Sequence, residues 1–201
     1  MDSPPIMVRE LSELRREIDA IDDKLHELLR ARTTIVEEVR VYKHDVRVKI
    51  RPAREAEIIY RLFAQHEGAF PKREMLRIWR ELIVATLRME GPFGVGVFME
   101  EDDGGFWDLA RDQFGSFAPM TALPSTRRLI EAVQKQEVTV GILPIPARKE
   151  DKPWWRRLVF EGADTPRVIA RLPFVPGSKD RKSTRLNSSH LGTSYAVFCL
   201  K

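Results

Sequence analysis

Apolar side chains recur in steps of three and four along the N-terminal part of the chain. They are Leu11, Leu14, Ile18, Ile21, Leu25, Leu28, Ile35, Val39 and Tyr42. This N-terminal seam is typical of a helix that packs along one side against another helix. No Gly or Pro interrupts residues 8–44, so we predict a single helix over this range. Such a helix exceeds about 50 Å in length, which is more than the width of a small domain.

Arg32 occupies the step of the N-terminal seam at which the spacing calls for an apolar residue. A helix this long cannot bury its apolar side against its own short chain, so we predict that a second copy of the chain covers it. A lone cation in such an interface costs too much free energy to remain unpaired. Arg32 is therefore expected to have a negatively charged partner.

The apolar pattern then predicts two further helices, followed by alternating strands and helices. The helices are "RPAREAEIIYRLFAQ" and "PKREMLRIWRELIVATLRME", each opened by a proline, which is favoured at the first helical position. After "GPFG", the segments "VGVFM", "VTVGILPIP" and "PRVIARLPFV" predict strands, and "FWDLARDQFG" and "STRRLIEAVQKQ" predict helices. This alternation indicates an α/β unit with parallel pairing. We predict a mainly α chain, with a helical domain over 1–91 and a small, truncated α/β domain over 92–178.

The formal net charge of +4 is confined to the C-terminal segment. Residues 179–201 hold five basic side chains and one acidic side chain, so the first 178 residues are neutral overall. A neutral body argues against a nucleic-acid partner. Within the segment, "DRKSTRLNSSH" resembles the translation of a sequencing-library adapter, and we predict that 179–201 is foreign and disordered. Cys199 is the chain's single cysteine, which excludes an internal disulfide and a cysteine-based metal site.

Targeting signals are not evident in the sequence. No apolar run approaches the roughly 20 residues that a membrane-spanning helix needs, and the first residues lack the pattern of a secretory signal. We therefore predict a cytoplasmic protein without a membrane partner.

Charged residues on the predicted helices suggest a binding site for an anion. Arg32 and Lys43 are eleven residues apart, which places them on one face of the first helix, whereas Arg15 faces elsewhere. Arg15 can therefore reach the same site only from a neighbouring helix. Arg54 and Glu55 begin the second helix. Several cations in an apolar bundle predict a small ligand with more than one negative charge.

The third predicted helix adds Thr86 and Glu90, which are four residues apart and share one side. The sequence offers no activated nucleophile, no metal cluster and no catalytic histidine. We therefore expect neither a metal nor a cofactor.

The segments "LRREID", "IDDKLHELLRAR" and "RPARE", together with Lys43, resemble the all-helical class of chorismate mutases over residues 8–90. The resemblance implies an intertwined homodimer of three-helix chains with two sites, each completed by an arginine of the other protomer. It implies an isomerase, an intramolecular transferase, that converts chorismate to prephenate. This reaction belongs to the shikimate pathway of phenylalanine and tyrosine biosynthesis.

The resemblance also implies roles for individual residues. Arg32 and Arg54 would bind the two substrate carboxylates, and Arg15 would be the arginine that crosses the dimer interface. Lys43 would donate a hydrogen bond to the ether oxygen of the breaking bond. Glu55 would bind the ring hydroxyl.

Two residues of the third helix complete the implied set. Thr86 matches a serine that assists a carboxylate, and Glu90 stands where many members have a glutamine that donates to the ether oxygen. Lys43, Glu90 and Arg32 are thus the predicted catalytic residues. A glutamate can donate only when protonated, so we expect the activity to fall as the pH rises.

The α/β segment "GVGVFMEEDDGGFWDLARDQFG" resembles the first lobe of prephenate dehydratase. The four adjacent carboxylates of "MEEDDGG" would repel an anionic substrate, so we expect a vestigial or regulatory binding lobe rather than an active dehydratase. Two alternatives to the mutase remain open. One is elimination of pyruvate from isochorismate on the same scaffold, and the other is a non-catalytic dimeric module that senses a metabolite.

Overall fold

The computed structural model describes residues 9–42, 50–99, 105–146, 153–159, 162, 165–172 and 195–199. The chain divides into two compact units, Met1–His44 and Asp45–Lys201. The first unit contains helix α1, Leu11–Tyr42. This helix lies within the range predicted from the apolar spacing and confirms the prediction of one uninterrupted helix.

The N-terminal seam is uncovered along the whole of α1. No residue of Leu11–Tyr42 is buried, and each of the nine seam residues is among the exposed large apolar side chains. The exposed fraction is 65% at Leu28, 60% at Ile35 and 87% at Tyr42. Burying apolar area is the main favourable term in folding, so the first unit by itself leaves this stabilisation unused.

Helices α2, Pro52–Gln65, and α3, Lys72–Met89, confirm the two predicted helices of the second unit. Pro52 takes the first position of α2, where its missing N–H is not needed. Among the apolar residues of α3, Met75 and Ile83 are buried, whereas Ile78 is 46% exposed.

The α/β part forms a sheet of five strands among the described residues, in the order β2-β1-β3-β5-β4. The strands are β1, Val95–Phe98; β2, Met120–Leu123; β3, Val140–Pro144; β4, Arg167–Leu172; and β5, Tyr195–Cys199. Helix α4, Gly105–Phe114, connects β1 to β2, and helix α5, Thr126–Gln134, connects β2 to β3. Strand β1 pairs in parallel with both β2 and β3, which confirms the predicted α/β unit.

The sheet departs from the prediction at its other edge. Strand β4 was predicted, but it pairs antiparallel with β5, which in turn pairs antiparallel with β3. Strand β5 belongs to the segment 179–201, for which we predicted disorder. That prediction is wrong for Tyr195–Cys199, because five successive residues without Gly or Pro find unpaired strand edges on both sides. The rest of 179–201 lies outside the described residues.

The compact units do not divide at residues 91/92, where the sequence predicted a domain boundary. Val84 of α3 and Ile50 share a buried apolar cluster with Val95, Phe114 and other residues of the α/β part. A second cluster, on α5 and β3, encloses Trp154 of a short 3₁₀ helix, Trp154–Leu158. Helices α2 and α3 therefore pack in one unit with the sheet.

Within the described ranges, no helix combines the length and apolarity needed to cross a membrane.

Candidate functional site

The predicted site residues fall on α1, α2 and α3, apart from Lys43, which lies outside the described residues. Arg15 and Arg32 belong to the first compact unit, whereas Arg54, Glu55, Thr86 and Glu90 belong to the second. Assembly of all these groups around one ligand stays a prediction.

Arg32 is half-buried on α1, whereas Arg15 is exposed. The residue after Arg32, Thr33, donates its hydroxyl to the carbonyl of Leu29 over 2.9 Å. This bond satisfies the Thr33 hydroxyl within the helix. Thr33, the polar neighbour of Arg32, is therefore already hydrogen-bonded within α1.

Arg54 is an exposed residue of the first turn of α2. Its Nη1 donates to Glu57 Oε2 over 3.1 Å, and both side chains are about two-thirds exposed, at 67% and 65%. Ion pairs of this kind contribute little to stability, roughly 0–1 kcal/mol. Arg54 can therefore exchange Glu57 for a ligand carboxylate at small cost.

Glu55 forms a buried ion pair with Arg80 of α3. The Arg80 Nη1 donates to Glu55 Oε2 over 3.1 Å, and the two side chains are 4% and 10% exposed. Burial raises the pKa of the Glu55 carboxyl, and Arg80 opposes that rise through its charge and its hydrogen bond. Burial likewise lowers the pKa of Arg80, against the charge of Glu55. Because each ion offsets the burial cost of the other, loss of either one would leave an uncompensated buried charge.

Arg80 was missed by the sequence reasoning, although the signal was present. Three and four residues after it, on the same face of the helix, come Ile83 and Val84, both of which are buried. Arg80 thus occupies an apolar face of its helix, as Arg32 does on α1. The test that singled out Arg32 would have found Arg80 if it had been applied to α3.

Thr86 and Glu90 lie one turn apart at the end of α3. The Thr86 hydroxyl donates to the carbonyls of Ile83, over 2.8 Å, and Leu82, over 3.1 Å. In this rotamer the hydroxyl proton remains within the helix, so donation to a ligand carboxylate would require rotation of the side chain. Glu90 is the C-cap residue of α3 and is 6% exposed. The prediction places a hydrogen-bond donor at this position, and the burial of Glu90 means that water competes little with a ligand there.

An open apolar cavity of about 330 Å³ lies between the end of α2 and the start of α3. Leu62, His66, Phe70 and Trp79 are among its lining residues. Of the predicted site residues that the structure describes, none lines this cavity. It is therefore separate from the cluster of polar groups around Glu55.

The chain resembles known proteins over the same helices. Residues 14–91 match the family model for chorismate mutase type II. The chain is 28% identical over 143 residues to a bifunctional chorismate mutase/prephenate dehydratase of Aquifex aeolicus, covering 69% of this chain and 39% of that protein. A protein of the same name from Pseudomonas aeruginosa is 27% identical, with 68% and 39% covered.

Two facts follow from how much of each chain these matches cover. The chain spans less than half the length of the curated relatives that it matches, namely 39%. Because 69% of the chain is more than its first 91 residues, the similarity continues into the α/β part. The relatives thus resemble both the helical and the α/β portions of this chain.

Proposed function

We propose that the helices matched by the chorismate mutase type II family model, residues 14–91, convert chorismate to prephenate. One observation carries this proposal: the matched range contains every predicted site residue, from Arg15 to Glu90. The activity would be that of an isomerase in aromatic amino acid biosynthesis, and we place it in the cytoplasm.

The proposed mechanism is electrostatic and conformational. The rearrangement is pericyclic, so it needs no proton transfer and no covalent intermediate. Arg32 and Arg54 hold the two carboxylates and so favour the reactive chair-like conformer. Lys43 and protonated Glu90 donate to the ether oxygen, on which negative charge develops in the transition state. One such donor is worth about 2.7–4 kcal/mol, which is a hundredfold or more in rate.

The remaining residues complete substrate binding. Glu55 accepts a hydrogen bond from the ring hydroxyl, and its burial supports this role because water competes little there. Thr86 assists a carboxylate after its side chain has rotated away from the helix backbone. Neither role requires a metal or a cofactor.

A homodimer is part of the proposal. The uncovered seam of α1 supports it, because nine apolar side chains in a row would be covered by the same row on a second copy. Arg32 lies in that row, so the interface would also enclose the anion site. In this arrangement Arg15 of one protomer completes the site of the other.

We infer that the α/β part is a binding or regulatory lobe rather than a dehydratase. The similarity to bifunctional relatives supports a common origin for this part. The acidic segment "MEEDDGG" supports loss of activity, because clustered carboxylates disfavour an anionic substrate.

Purified protein of residues 1–201, assayed with chorismate and in parallel with isochorismate, tests the mutase proposal. Loss of chorismate absorbance is measured for the wild type and for Lys43→Ala, and the product is identified as prephenate or as free pyruvate. We expect prephenate from the wild type and at least a roughly hundredfold slower reaction from Lys43→Ala. Absence of turnover by the wild type would exclude the proposal. Pyruvate release from isochorismate alone would instead support the lyase alternative.

A further inference from the structure

Resting on the proposed mutase function, we propose that Arg80 is a positioning residue: it holds Glu55 Oε2 so that Glu55 Oε1 accepts a hydrogen bond from the substrate's ring hydroxyl. Neither the sequence resemblance nor the proposed mechanism gives Arg80 a role.

The geometry of the pair is asymmetric. Arg80 contacts Glu55 Oε2 over 3.1 Å, whereas Oε1 is buried and has no hydrogen-bond partner among the described residues. Arginine can bind both oxygens of a carboxylate at once through its planar fork. A purely structural pair is expected to use that option, since a buried acceptor without a donor costs free energy. The absence of a partner for Glu55 Oε1 among the described residues therefore indicates that a bound ligand donates a hydrogen bond to this oxygen.

The negative charge of Glu55 restricts the chemical groups that can act as this donor. A ligand carboxylate would be repelled by Glu55, so Oε1 selects an uncharged O–H or N–H group or a cation. In the proposed substrate, the two carboxylates are bound by arginines, and the ring hydroxyl is the group that can donate a hydrogen bond to Glu55. Glu55 would then read the hydroxyl end of the substrate while Arg32 and Arg54 bind its carboxylates.

Arg80 also controls the protonation of Glu55. Burial raises the pKa of Glu55, and Arg80 on α3 is the charged side chain that lowers it again, with a backbone group of Arg51 adding to the effect. Tyr60 on α2 acts on Arg80 in turn. Only the ionised carboxyl has both oxygens available as acceptors. Without Arg80, the pKa of Glu55 rises further, so the acceptor is lost at a higher pH.

The experiment compares four variants of the whole 201-residue chain with the wild type: Arg80→Gln, Arg80→Lys, Glu55→Gln and the double variant Arg80→Gln/Glu55→Gln. Arg77→Gln is the matched control, because Arg77 lies on the same helix but is exposed and pairs with Asp112 over 3.9 Å. For each protein, kcat and KM for chorismate are measured across pH, and folding is checked by circular dichroism.

We expect Arg80→Gln to raise KM by about tenfold or more, the size of a lost charge-assisted hydrogen bond, with a smaller change in kcat. The acidic limb of kcat/KM should move to higher pH, and Arg80→Lys should reverse part of both effects. When Glu55 is already glutamine, the further substitution Arg80→Gln should raise KM only a little more. Arg77→Gln should match the wild type.

Three results would overturn the inference. The first is an equal loss from Arg80→Gln with and without Glu55, together with an unmoved acidic limb, which indicates a role in folding alone. The second, if Arg80→Gln does not fold, is an Arg80→Lys variant whose KM and acidic limb equal those of the wild type. The third is a wild type without chorismate turnover, which removes the function on which the inference rests and is recognised before any variant is made.

Discussion

The Glu81 carboxylate on α3 accepts two hydrogen bonds from Ser116, just beyond the end of α4. The Ser116 backbone N–H donates to Glu81 Oε1 over 2.8 Å, and its hydroxyl donates to the same oxygen over 3.0 Å. Between α4 and Ser116 lies Gly115, whose φ of 77° favours glycine. This link connects α3 to the α/β part within one compact unit.

Gly115→Ala should destabilise the second unit. A Cβ at residue 115 would fall on the Glu81 carboxylate, which cannot move aside without losing its bonds to Ser116. We expect a loss of about 1–3 kcal/mol in the free energy of unfolding, from the positive φ and the crowding together. Gly68→Ala is the control, because Gly68 has a φ of 95° but open space around its Cβ position. Urea unfolding of both variants measures the difference, and equal midpoints would contradict the crowding argument.

Leu25→Glu should separate the proposed dimer. Leu25 lies in the N-terminal seam and is 54% exposed in a single copy, so a charge there would be buried only in the assembled form. We expect a monomer by light scattering and loss of most mutase activity. Thr34→Glu adds the same charge nine residues further along, on the opposite side of α1, and should leave the dimer intact. A dimeric Leu25→Glu variant would refute the seam as the interface.

Arg32→Leu separates assembly from catalysis. The substitution makes the N-terminal seam uninterrupted, so the proposed dimer should form at least as readily as in the wild type. The carboxylate of the substrate loses its partner, so kcat/KM should fall by roughly a hundredfold or more. Chorismate turnover and the oligomeric state are measured on the same sample. Retained turnover would remove Arg32 from the proposed site.

Glu90→Gln tests the protonated donor. If Glu90 must carry a proton to bond the ether oxygen, then wild-type activity falls as the pH rises, since deprotonation converts the donor into an acceptor. A glutamine donates at every pH, so Glu90→Gln should keep its activity in alkaline solution. Rates are measured from acidic to alkaline pH for both proteins. A wild type that stays fully active at alkaline pH would disprove this role.

The sequence by itself determined the helices and their chemistry. The apolar period that predicted α1 arises from residues three and four apart, and such neighbours are set by local geometry alone. Proline at the start of α2 acts locally as well. Arg32 could be recognised because a cation interrupted that local pattern.

Only the tertiary structure decided which distant groups meet. Glu55 and Arg80 are 25 residues apart and lie on two helices. The local sequence of one helix does not determine which residues of the other helix it contacts. The position of β5 between β3 and β4, and the packing of α3 in one unit with the sheet, likewise depend on contacts between distant segments. Such contacts are selected by the combined burial of many side chains, a quantity that no single stretch of sequence contains.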